Sequence, residues 1–202
     1  MHISEGVLSA PVLGVGAALA AVGTAVGLKR LDYDRLMTVA ILSAAFFVAS
    51  LIHVPIGPSS AHLIMNGLLG AILGWAAFPA ILTGLVLQAV LFQYGGLAVL
   101  GVNTCDMAYP AVICFYLFRP FLRANGRRRA VGAFCCGFFS VLFSALLTAA
   151  ALEFSDEGFI AAARILVAAH LPIMIVEGLV TAMVVSYLAR TRPELLQAHL
   201  VP

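Results

Sequence analysis

The chain has 202 residues, 63% hydrophobic and 10% charged, with a net charge of +2 and a mean hydropathy of +1.09. Soluble domains sit near ~45–50% apolar and ~25% charged, so the composition excludes one. At roughly 20 apolar residues per span there is room for about six to eight spans, which leaves none for a large catalytic or nucleic-acid-binding domain.

In chain order the apolar stretches are Val7–Leu28, Leu36–Val54, Ala61–Gln93, Val102–Phe118, Ala130–Leu152 and Phe159–Leu188. The third is long enough for two short helices, Ala61–Trp75 and Phe78–Gln93, broken near Phe78–Pro79. Lysine and arginine mark cytoplasmic loops. Lys29, Arg30 and Arg35 form one cluster, Arg119, Arg123 and Arg127–Arg129 a second, and Arg190 with Arg192 a third. An even number of crossings must separate clusters on one side, so Ala61–Gln93 has to cross twice. The expectation is an all-α membrane protein of seven transmembrane helices, N-terminus outside and C-terminus cytoplasmic. Residues 1–202 would form a single membrane-embedded domain in the cytoplasmic (inner) membrane. The first helix lacks a basic lead-in and carries Glu5, so it reads as a retained span rather than a signal peptide. Cys105, Cys114, Cys135 and Cys136 lack zinc-site spacing and read as small buried residues.

Histidines and carboxylates in such a chain each need a reason. On this topology His2, His53, His62 and His170 collect on the outer side. His2 is the most informative. Methionine aminopeptidase needs a small second residue, so Met1 is expected to stay and keep a free amine. The amine and the His2 amide nitrogen close a five-membered ring on a metal. The amide and imidazole Nδ1 close a six-membered one. Displacing the amide proton calls for Ni²⁺ or Cu²⁺, and to a lesser extent Co²⁺. Three coplanar nitrogens leave one in-plane position, for which the His62 imidazole at a helix mouth is the best candidate. Glu177, deep in the last apolar segment, is either a helix-bridging acid or an acceptor that orients a ligand. Asn66, one turn after His62 on the expected helix, either holds that imidazole or bridges helices. His53 and His170 are open between supporting the metal site and packing. No phosphate-binding loop is present to power transport, and no H-E-x-x-H supports a helical zinc protease.

Met1-His2-Ile3 with Glu5-Gly6, Ser60-Ala61-His62-Leu63, Asn66-Gly67-Leu68, Gly95-Gly96-Leu97, Leu100-Gly101-Val102-Asn103, Met107-Ala108, His170-Leu171-Pro172 and Glu177-Gly178 together resemble the CbiM/NikM family. These are the substrate-binding membrane (S) subunits of energy-coupling-factor transporters for cobalt and nickel. The resemblance implies a seven-helix, non-enzymatic uptake subunit whose N-terminus tucks in from outside. It implies Met1, His2 and His62 as metal ligands and Co²⁺ or Ni²⁺ as transported substrate. It also implies a transmembrane coupling (T) subunit, cytoplasmic ABC ATPase subunits and often a small accessory membrane protein as partners, with no nucleic acid. Ser4 departs from the proline or methionine of many relatives. The rival readings are a self-sufficient divalent-metal channel or carrier, an intramembrane enzyme built on His53, His62, His170 and Glu177, and a structural subunit without metal.

Overall fold

The structure, a computed structural model, describes residues 3–56, 59–156 and 160–197, without side chains for 53–61, 160–164 and 197. The described residues are helical apart from one short hairpin. Helix α1 (Ala10–Lys29) carries Pro11 in its first turn, where the missing N–H costs nothing. A 3₁₀ turn opened by the Asp32 carboxylate leads into α2 (Leu36–Leu51). Strands β1 (His53–Ile56) and β2 (Ser59–His62) then pair antiparallel, with His53 opposite His62 in the register. This corrects two expectations. His53 lies on a strand rather than ending a helix, and His62 ends a strand rather than opening one.

Helix α3 (Asn66–Leu73) is short and buried throughout. It stops at Gly74, whose φ of 54° a side chain would strain, and a 3₁₀ turn passes the chain to α4 (Ala77–Phe92). The break therefore falls at Gly74–Ala76 rather than at Phe78–Pro79; Pro79 sits in the first turn of α4, where it is tolerated. Helices α5 (Leu100–Leu122) and α6 (Arg127–Glu153) follow as a long antiparallel pair. The last apolar stretch is two helices, α7 (Ile160–Ala169) and α8 (Leu171–Thr191), parted at His170 ahead of Pro172. A final turn, α9 (Glu194–Gln197), buries Leu196 beneath the bundle.

Among the described residues, five stretches are long and apolar enough to cross a membrane: Ala10–Lys29, Tyr33–Leu51, Asn66–Phe92, Arg127–Glu153 and Leu171–Thr191. Asn66–Phe92 contains the α3–α4 break. At 23 residues α5 is about 34 Å long, and so could also span, but Asn103, Thr104 and Asp106 on its buried side make it more polar. Helix α6 is the spine, packing on both α5 and α8, while α3 lies inside, against α5, α6 and α8. The α3–α6 contact is backbone on backbone. A Cβ on Gly67 would stand 2.5 Å from the Gly137 Cα and 2.8 Å from the Cys136 oxygen. Small residues at such crossings are how helices associate tightly where apolar surface alone gives no drive.

Candidate metal site

The residues after His62 are held from three sides. The Glu177 carboxylate, fully buried on α8, accepts with Oε1 from the backbone N–H groups of Ile64 and Met65, the second at 2.8 Å. Those amides lie at the N-terminal end of α3, where a negative side chain opposes the helix dipole favourably. Glu177 thus ties α8 to the segment that carries His62. Its second oxygen, Oε2, is buried with no hydrogen-bond partner among the described residues.

Asn66 does the same toward α5 and α6. Its amide nitrogen donates to the Met107 carbonyl at 3.1 Å and to the Ser144 hydroxyl at 2.8 Å. Asn66 therefore bridges helices rather than gripping the His62 ring, and with His62 on a strand the two share no helix face. His62 itself is buried, with Nδ1 lying 3.0 Å from the Leu63 carbonyl oxygen. A carbonyl oxygen only accepts, so this contact takes the tautomer with its proton on Nδ1.

One turn before Met107 on α5 stands Asn103, which forms a clamp that sequence reading left out of the site. Its Oδ1 accepts from the Ile3 N–H at 3.0 Å, and its Nδ2 donates to the Ile3 carbonyl at 3.2 Å, both bonds buried. The side chain thereby pairs with Ile3 in both directions, as a neighbouring strand would. Three further contacts hold the same segment. Glu5 accepts from the Ala98 N–H at 3.0 Å, the Ser9 N–H donates to Ser155 Oγ at 3.2 Å, and Ile3 and Leu8 pack with Val99, Val102 and Leu152. Gly96, at φ 133°, leaves the space that the Glu5 side chain fills. A polar Asn in an apolar helix was the available signal; its partner, 100 residues away, was not.

The proposed ligands Met1 and His2 lie outside the described residues. Of His53 the structure gives the strand position alone. His170 is buried at the α7–α8 junction, its Nδ1 2.7 Å from the Leu166 carbonyl, and Nε2 has no partner among the described residues. It sits two turns before Glu177 on α8, and each presents a buried, unpartnered atom. No group of three or more His, Cys, Asp or Glu among the described residues is arranged to hold a metal. The cysteines are free, and Cys105, Cys114 and Cys136 are buried. Successive turns of α5 hold the N-terminal segment at Ile3 and the His62 segment at Asn66.

Residues 2–195 match the model of a family described as the CbiM cobalt uptake substrate-specific transmembrane region. The chain belongs to the CbiM family. A Haemophilus influenzae protein named "Putative metal transport protein" is 43% identical, over 97% of both chains. An Archaeoglobus fulgidus protein, named as a fused nickel transport protein NikMN, is 30% identical over all of this chain and 70% of its own. A crystal structure described as a truncated transition metal transporter aligns with a TM-score of 0.80 at 30% identity, covering 95% of this chain and 99% of that one. This CbiM-family chain is thus a multi-pass membrane protein, and its relatives are named for transport rather than catalysis.

Proposed function

We propose that this CbiM-family chain is the substrate-specificity subunit of an energy-coupling-factor transporter, taking up Co²⁺ or Ni²⁺ from outside the cell. The Met1 amine, the His2 amide and imidazole and the His62 imidazole supply four nitrogens in a square plane. Asn66 and Glu177 hold the His62 segment, and His53 and His170 are the candidates for supporting the ligands from outside the plane. The single membrane domain spans seven times, N-terminus outside. A transmembrane coupling subunit, cytoplasmic ATPase subunits and a small accessory membrane protein complete the machine. The accessory role is consistent with relatives named as fused proteins that extend beyond this chain.

The observation that carries this reading is the Asn103 clamp. It fixes Ile3 one turn of α5 away from the residue that holds Asn66. Met1 is two residues before Ile3, so its amine can reach no farther than about 7–8 Å from the clamped backbone. The buried His62 ring, with Nδ1 against the Leu63 carbonyl, supports it, since a metal-binding imidazole commonly donates its other ring N–H to a carbonyl. A planar nitrogen set suits Ni²⁺, disfavours tetrahedral Zn²⁺ and rejects the oxygen-seeking Mg²⁺ and Ca²⁺. Copper has greater intrinsic affinity for such ligands, so its scarcity in the cell contributes to selectivity.

The test is metal stoichiometry in purified protein with and without one additional residue ahead of Met1. The extension leaves every side chain intact and removes the chelating amine. Loss of nickel or cobalt is the expected result. Unchanged retention would move the ligands elsewhere. Uptake by this chain alone in vesicles, independent of ATP, would favour the channel or carrier reading instead.

A further inference from the structure

The turn between α5 and α6 carries a concentration of positive charge that the metal site does not use. Arg123, Arg127 and Arg128 are exposed around the sequence Ala124–Asn125–Gly126, and Arg129 braces the turn. Its Nε donates to the Leu122 carbonyl at 3.1 Å and its guanidinium to the Asn125 side chain at 3.2 Å. The other arginines are therefore presented by a fixed turn rather than a loose loop. No Asp or Glu occurs between Asp106 and Glu153, so the sequence supplies no local counter-charge. Three arginines also occupy the first turn of α6, which has Gly126 at its cap, no capping side chain and no acid. Cations are unfavourable at the positive end of a helix, and a bound anion reverses that.

The surroundings of these arginines indicate what kind of anion. Ile113, Leu117 and Phe121 recur every four residues along α5 and are 50%, 55% and 48% exposed; Val131 on α6 is 51% exposed. This apolar stripe runs up to the arginines and stops. A dissolved acidic protein would meet charge without needing the stripe. A phospholipid meets both, with acyl chains along the stripe and phosphate at the arginines.

We infer that the α5–α6 turn is a binding site for anionic phospholipid headgroups, held by Arg123, Arg127 and Arg128. Polybasic segments beside a span gain roughly a fivefold preference for an anionic surface per arginine.

The test uses the full chain purified in detergent, with native mass spectrometry counting bound phosphatidylglycerol against phosphatidylcholine of the same acyl chains. The wild type is expected to prefer phosphatidylglycerol at least tenfold. R127Q and R128Q are each expected to lower that preference about fivefold, and the triple variant R123Q/R127Q/R128Q to abolish it. The corresponding triple lysine variant, which keeps the charge, should retain most of it. Equal binding of the two lipids by the wild type would overturn the inference and leave the turn to an acidic protein partner. Single variants that match the wild type would overturn it as well. So would an equal loss in R190Q/R192Q, which changes charge elsewhere, or displacement by millimolar glycerol phosphate, which would make the ligand a free phosphate. None of these readouts depends on metal binding, so the inference stands or falls apart from the proposed transport function.

Discussion

Replacing Asn103 by Ala removes two buried hydrogen bonds to one residue, the Ile3 N–H at 3.0 Å and the Ile3 carbonyl at 3.2 Å. Each such bond contributes about 1 kcal/mol net, so the docked N-terminal segment loses about 2 kcal/mol relative to the free one. If metal binds only the docked segment, affinity falls by the same free energy, about 30-fold. Asn103→Asp replaces the donor by an acceptor. Its carboxylate turns an oxygen onto the Ile3 carbonyl and buries a charge there, so a loss at least as large as that of N103A is expected. Isothermal titration of Ni²⁺ into the purified wild type, N103D and N103A gives the series, and thermal unfolding without metal shows whether the bundle is intact. Nickel affinities within twofold of wild type for both variants would refute the argument that Asn103 positions the N-terminal ligands.

Three other perturbations follow from the same geometry. Gly67→Ala drives a methyl into the Gly137 backbone at 2.5 Å, and should destabilise the fold by about 3 kcal/mol or prevent it, lowering the unfolding temperature; Gly14→Ala, with nothing within 4 Å, should leave it unchanged. Glu177→Ala strands the buried amides of Ile64 and Met65 at about 1–3 kcal/mol each, so nickel retention should drop sharply, whereas Glu177→Gln, which keeps an acceptor oxygen, should lie between. Acid should empty the site, because metal competes with protons for the amine, the amide and the imidazoles, so the bound form is favoured at higher pH and lost as pH falls. Equal nickel occupancy in equilibrium dialysis at about pH 8 and about pH 5 would count against nitrogen ligation.

The helices were legible because apolar runs end at arginines, prolines and glycines, and α1, α2 and α6 begin or end within a few residues of the expected bounds. The hairpin was misread although Pro55, Gly57 and Pro58 announce a turn, because long apolar runs on both sides absorbed the segment into helices. The division at His170 had a signal too, in Pro172, which prefers the first turn of a new helix. Glu177 and His62 were marked out by the cost of polar groups within a membrane, which a sequence does reveal. Which group each one meets is another matter. Nothing in the chain around Asn66 says that its amide ends on Met107 and Ser144, nor does Asn103 name Ile3, since those pairings exist only after the helices pack.

The N-terminal segment is fastened at Ile3, Glu5 and Ser9 to three separate places, α5, the Ala98 amide and the end of α6. Opening from the N-terminal end needs only the Ile3 pair to release, since Glu5 and Ser9 lie farther along the chain. Those two contacts then keep the freed end close to α5, so a local opening is followed by redocking more often than by escape. On the proposed function, any contact that shifts α5 against the segment would loosen Ile3 first and so shorten the ion's stay.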